Sequence, residues 1–135
     1  MKYLLDTNAC IQLLRGRSEK LAVRVSLCPP EQITIAAIVL AELYDGAERS
    51  TDPATEHSRV ADFVEPFLPC LPFEERAARE FGRVRAYLAQ AGTPIGPLDL
   101  LIAATALAHG LTLVSHNLSD FSRIPGLLLE DWEGP

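Results

Sequence analysis

Four short apolar runs limit what this chain can fold into more than any other feature. They are Tyr3-Leu4-Leu5, Gln32-Ile33-Thr34-Ile35, Leu111-Thr112-Leu113-Val114 and Leu127-Leu128-Leu129. Each is too short for a helix, and each is bounded by capping or turn residues, so each reads as a strand. The first three are separated by long stretches with helical patterning. Strands joined through helices, rather than tight turns, pair in parallel. The expected fold class is therefore α/β, with a mainly parallel central sheet covered by helices.

The helices are set by their punctuation. Asp6-Thr7-Asn8 can cap a helix that carries Ile11, Leu13 and Leu14 and stops at Gly16. Ser18 to Leu27 is amphipathic and ends at Pro29-Pro30. Ala37 to Glu48 and His57 to Phe67 read as two further helices, with a turn at Asp52-Pro53. Pro69 to Phe73 reads as an extended edge segment. Glu74 to Gln90 is the longest helix, Gly92 to Pro97 is a loop, and Leu98 to His109 is an apolar helix closed by Gly110.

At 135 residues the chain is expected to be one domain spanning 1–135. An apolar fraction of 48% and a charged fraction of 22% suit a globular core. Cys10, Cys28 and Cys70 form no CxxC pair and are odd in number, which argues against a disulfide framework or zinc ribbon. They read as small hydrophobes. Asp6 comes too early for a signal peptide, and the longest mostly apolar stretch, Ile33 to Leu43, cannot span a bilayer. A soluble cytoplasmic protein with no membrane partner is expected.

Ligands of parallel α/β sheets lie at the carboxyl ends of the strands. Asp6 directly follows the first strand, and Asp120 follows the third within Ser115-His116-Asn117-Leu118-Ser119-Asp120. Asp99 lies two residues after Pro97, at the start of a helix whose neighbours, Leu98 and Leu100 to Ala104, read as buried. Glu42 sits among apolar helix residues, where an unpaired charge is costly. Each acid alone could be a cap, a turn residue or a solvated side chain. Brought together, four carboxylates would repel one another and require protons or a cation. All-oxygen ligation suits Mg²⁺ or Mn²⁺, which polarise phosphoryl oxygens and favour phosphodiester hydrolysis. A phosphatase with Asp6 as nucleophile would want a second acid two residues on, where this chain has Asn8.

The ordered set of motifs resembles the PIN-domain ribonucleases, and among them the VapC-type toxins of toxin–antitoxin pairs. The matching segments are Leu4-Leu5-Asp6-Thr7-Asn8, Ala41-Glu42-Leu43 with Gly46-Ala47, Gly92 to Ala104, and Leu113 to Phe121. Ile124 to Leu127 and Glu130-Asp131-Trp132 follow. The resemblance implies a three-layer α/β/α sandwich and a metal-dependent endoribonuclease. It places acidic ligands at Asp6, Glu42, Asp99 and Asp120, with the ion held by Asp6, Asp99 and Asp120. Thr7, Asn8, Ser115 and Asn117 fall where the family orients ligands or substrate. The Gly92–Pro97 loop is similar to that of the subgroup that cuts initiator tRNA. Leu98, and Ser115-His116 in place of Thr-Asn, depart from that subgroup beside the site. The resemblance also implies a VapB-like antitoxin, a homodimer, and operator DNA reached only through the antitoxin. The other reading is a non-catalytic PIN-fold module that acts through such a partner.

A formal net charge of -6 excludes a generic basic nucleic-acid coat. Neutralising the four proposed ligands would leave -2, which one divalent ion could cover. Arg15 and Arg17 follow the helix that Asp6 opens and are the expected RNA contacts. Arg76, Arg79 and Arg83 read as a solvated face paired with Glu74, Glu75 and Glu80. His116 reads as an exposed loop histidine. Phe63 and Phe67 are expected to lie on an apolar surface that a partner covers.

Overall fold

The computed structural model describes residues 1–134. Strand β1 (Tyr3–Leu5) leads into helix α1 (Thr7–Leu14), and α2 (Glu19–Ser26) follows. A 3₁₀ turn at Pro30–Gln32 precedes β2 (Ile33–Thr34), then α3 (Ala37–Glu48) and α4 (Pro53–Val64). The long α5 (Glu75–Gln90) and α6 (Pro97–His109) come next, then β3 (Thr112–Val114), the one-turn α7 (Leu118–Phe121) and β4 (Leu128–Glu130).

The strands form one parallel sheet in the order β2-β1-β3-β4, with Leu5 opposite Val114 and Val114 opposite Glu130. Leu4, Leu5, Leu113 and Val114 are buried, because helices cover both faces of the sheet. This is the expected three-layer α/β/α arrangement. From β1 the chain crosses first to β2 on one side and later to β3 on the other. The order therefore reverses at the β1–β3 junction, and a crevice opens there at the strands' carboxyl ends.

Several expectations change in detail. Helix α4 begins at Pro53 rather than His57, because Asp52 caps it by accepting from the Thr55 N–H at 3.3 Å and Pro53 suits the first turn. Pro66 then converts its end to a 3₁₀ turn over Glu65–Phe67. Phe67 is buried and Phe63 half-buried, their rings edge to face at 5.6 Å. Both pack against the core, and the adjoining Leu68 is 43% exposed. The segment around Asp120, expected as a turn or a cap, closes into α7 with Asn117 as its cap. The extended Pro69–Phe73 piece touches the sheet edge through one parallel bridge, Ala36 to Leu71.

The chain after β4 folds back over β1. Trp132 is buried with its ring edge-on to Tyr3 at 4.8 Å, and the Arg24 guanidinium lies 4.3 Å above it. This sandwich fixes Asp131 and Glu133 near the carboxyl end of β3.

Candidate active site

Strand pairing brings the ends of β1 and β3 together. The Asp6 N–H donates to the Val114 carbonyl at 3.1 Å, and the Ser115 N–H donates to Glu130 at 3.0 Å. Asp6 is buried. Its carboxylate accepts from the Ala9 N–H at 2.8 Å, capping α1, and the Ser115 side chain nearby favours its charged form. The next residue, Thr7, donates through its hydroxyl to Glu42 Oε1 at 2.6 Å. That bond ties the first turn of α1 to the middle of α3, so Glu42 faces the same crevice.

Electrostatics place the other two acids. Burial pushes the Asp6 carboxyl up to about 6, against the opposing pull of Ser115 and the Ala9 N–H and with added repulsion from Asp99 and Glu133. Asp99 is raised too, by burial first and then by repulsion from Glu42 and Asp120. Asp6 therefore feels Asp99, and Asp99 feels both Glu42 and Asp120: the four carboxylates share one field. Asp120 is held by the Asn117 amide at 3.1 Å and by Arg123 at 3.6 Å. Asn8 is exposed at the start of α1.

A hollow of about 480 Å³ opens in front of Glu42 and Asp99. Thr7, Asn8 and Asp45 supply its polar wall, and Ile11, Ile38 and Leu98 its apolar one. Leu98, expected as buried, is 48% exposed. It stands in the first turn of α6 on the rim, while Leu100 and Ile102 turn into the core.

The basic residues divide. Arg15 reaches Glu56 at 3.3 Å, and Arg59 meets the same carboxylate at 2.9 Å. Arg17 is exposed and makes no ion pair among the described residues. On α5, Arg79 pairs with Glu75 and Arg83 with Glu80, as a solvated face should. Cys10 is buried, but Cys28 and Cys70 are only half-buried, and Cys28 accepts from Arg24 at 3.0 Å.

Two groups near the site were not legible as such in the sequence. Glu56 follows a turn and reads as an ordinary surface acid, yet it is buried. Asp131 pairs with His116 at 3.0 Å, and Glu133 joins them, the donor atoms of the three lying within 4.8 Å of one another. The only hint was the Asp131-Trp132-Glu133 alternation after a strand, which lets a buried Trp place both acids on the opposite side.

The donor chemistry of the four-acid group fits a hard divalent cation. Two of its carboxylates are held above their usual range by burial and mutual repulsion, which a cation would relieve. The nearby Cys10 thiol cannot compete as a ligand, because burial and repulsion from Asp6 keep it protonated.

A parallel sheet with Asp6 buried at the end of β1, and a hollow lined by the next residue together with Glu42 and Asp99, points to a class, and residues 3–127 match the PIN domain family. The chain is 40% identical to the tRNA(fMet)-specific endonuclease VapC of Salmonella typhimurium, over 98% of each chain. It superimposes on a crystal structure of DNA-bound VapBC from Salmonella typhimurium with a TM-score of 0.91, covering 98% of both chains at 40% identity. VapBC2 from Rickettsia felis, bound to a fragment of promoter DNA, superimposes with a TM-score of 0.88 at 36% identity, over 98% of this chain and 99% of that one. The chain belongs to the VapC branch of the PIN domain family.

Proposed function

We propose that this chain is the toxin of a toxin–antitoxin pair, a cytoplasmic endoribonuclease that cuts tRNA and uses Mg²⁺ or Mn²⁺. The reading is supported by Thr7 donating to Glu42 beside the buried Asp6, by Glu42 and Asp99 lining one hollow, and by the repulsion that links Asp6 to Asp99 and Asp99 to Glu42 and Asp120. Asp6, Asp99 and Asp120 would hold the ion, and Glu42 completes the acidic set. A divalent ion held there would neutralise the acids and supply Lewis-acid polarisation of a phosphoryl oxygen.

The chain's own residues do the positioning. The Ala9 N–H orients the Asp6 carboxylate with Ser115 beside it, Thr7 orients Glu42, and Asn117 orients Asp120. Asp6 lies near its midpoint at about pH 6, so it is poised to give up its proton when a cation enters. Asn8 faces the hollow and orients the substrate backbone, and Arg15 and Arg17 supply charge along the same side. The products are a 5′-phosphate and a 3′-hydroxyl. A non-catalytic module acting through a partner would have no use for an acidic set in which Asp6, Glu42 and Asp120 are each held by a neighbouring polar group.

The Salmonella and Rickettsia relatives are VapBC assemblies with DNA. By the same pattern this chain takes a VapB-like antitoxin, forms a homodimer, and meets operator DNA through the antitoxin. Similarity to a tRNA(fMet)-specific endonuclease favours initiator tRNA, cut in a loop whose nucleotides can splay. Among the described residues no helix is long and apolar enough to cross a membrane. The test is to incubate the purified protein with total tRNA and Mn²⁺ and map the new 5′ ends. New ends should fall in one loop of few tRNAs. Cuts spread through duplex stems, or confined to DNA, would overturn the reading.

A further inference from the structure

Beside the acid cluster lies a second hollow of about 340 Å³, walled by different chemistry. Arg17 and His116 bring positive charge, Asn8, Gln12 and Asn117 bring amides, and Glu133 is its one carboxylate. Asn8 and Ile11 line both hollows, so the two adjoin at the start of α1. Arg17 has no ion-pair partner among the described residues, and nothing there neutralises Glu133 by direct pairing either.

We propose that this second hollow binds a backbone phosphate of the RNA next to the phosphate that is cut, with Arg17 and His116 as its cations. The proposal rests on the nuclease reading above. Its geometry comes from the tail after β4. Asp131 is itself fixed, because Oδ1 accepts from the Glu133 N–H at 2.9 Å and the Gly134 N–H at 3.1 Å. Its other oxygen pairs with His116 Nδ1 at 3.0 Å, which orients the ring, so that Nε2 can also donate when the ring is protonated. A carboxylate behind one ring nitrogen and an anion in front of the other is the arrangement that favours imidazolium.

The acids facing His116 are Asp131 and Glu133 from the tail and Asp6 from the end of β1, and all three favour its charged form, while Arg17 on the same hollow is a like charge that opposes it. The ring is exposed, so it exchanges readily with substrate. Glu133 opposes a phosphate directly. His116 therefore acts as a positioning residue whose contribution fades as pH rises, and Glu133 sets the limit on affinity. Arg17 and His116 line this hollow, and Leu98 lines the neighbouring one with Glu42 and Asp99. A nucleotide strand crossing both would place its backbone in the first and a base against Leu98.

The probe is labelled total tRNA, bound by the full-length protein in excess EDTA, so that nothing is cut and no ion bridges His116, Asp131 and Glu133. Affinity is followed against salt at pH 6 and pH 8, with a melting curve for each variant. Arg17→Ala and His116→Asn should each weaken binding several-fold at pH 6 and flatten the log–log salt dependence by about 0.7 to 0.9. The unaltered protein should bind more weakly at pH 8, and His116→Asn should lose that pH dependence. His116→Lys should bind at pH 8 as the unaltered protein does at pH 6. Glu133→Gln should tighten binding, a sign no structural role would produce. If tRNA binds but the Arg17, His116 and Glu133 variants leave affinity and salt slope unchanged, the hollow is not a phosphate site and His116 only anchors the tail. If the unaltered protein fails to bind tRNA at either pH, the nuclease reading falls and this site with it.

Discussion

The Thr7 hydroxyl donates to Glu42 at 2.6 Å across 35 residues of sequence, joining the first residue of α1 to the centre of α3. Because Asp6 caps the same turn, this bond sets Glu42 relative to Asp6. Thr7→Val keeps the shape and removes the donor. A hydrogen bond to a charged acceptor contributes about 1.5 to 3 kcal/mol, so cleavage should slow by about 10- to 100-fold. Thr7→Ser should retain most of the rate. Equal loss in both variants would mean that side-chain shape, not the bond, matters.

Asp6 gives the protein a pH signature. Its carboxyl is raised from 3.8 to about 6 in the folded chain, so the folded state holds a proton that the unfolded chain has released. The contribution of this group to metal-free stability should be full below about pH 4 and be lost, by roughly 3 kcal/mol, as pH rises through about 6. Asp6→Asn keeps a good helix cap without the charge. In chelator it should match the unaltered protein at pH 4 and melt several degrees higher at pH 8. A lower melting temperature at pH 8 would show that the charged carboxylate stabilises the fold.

Sequence reading reached the acids because each sits where local rules mark it. Asp6 ends an apolar run, Asp99 follows a helix-starting proline, and Glu42 interrupts an apolar helix. What local rules could not show is which side chains meet. Thr7 and Glu42, Arg15 and Glu56, and His116 and Asp131 are brought together only by the β1–β3 junction and the packing of α1 on α3 and α4. Leu98 was misjudged because its helix is apolar on nearly every side, so periodicity gave no sign of which residue would face out. The α4 start was written in Asp52-Pro53, where a cap followed by a first-turn proline has the same letters as a turn.

Leu98 should affect substrate rather than fold. It is 48% exposed on the rim of the acidic hollow. Leu98→Ala should change stability by no more than about 0.5 kcal/mol. If a base packs on it, KM for tRNA should rise several-fold while kcat changes little. An unchanged KM would remove Leu98 from the substrate path.

Arg15 and Arg17 should separate by measurement. Glu56 is a buried carboxylate that ties α1 to α4 through Arg15 at 3.3 Å, with Arg59 beside it. Glu56→Gln should lower stability by about 1 to 2 kcal/mol in denaturant unfolding, and Arg15→Ala by less, since Arg59 still serves the acid. For tRNA binding the order reverses, with Arg17→Ala costing more than Arg15→Ala. The opposite order would make Arg15 the main RNA contact in spite of its ion pair.

Cleavage of total tRNA by the purified protein, followed against Mn²⁺ concentration from excess chelator upward, reads the four-acid site most directly. The unaltered protein should be silent in chelator and gain activity with Mn²⁺ or Mg²⁺. Asp99→Asn, which removes the acid that both Glu42 and Asp120 press upon, should lose at least about 100-fold at every metal concentration yet remain folded. Full cleavage in chelator, or an Asp99→Asn protein that cuts as well as the unaltered one, would contradict a metal-dependent site built from Asp6, Glu42, Asp99 and Asp120.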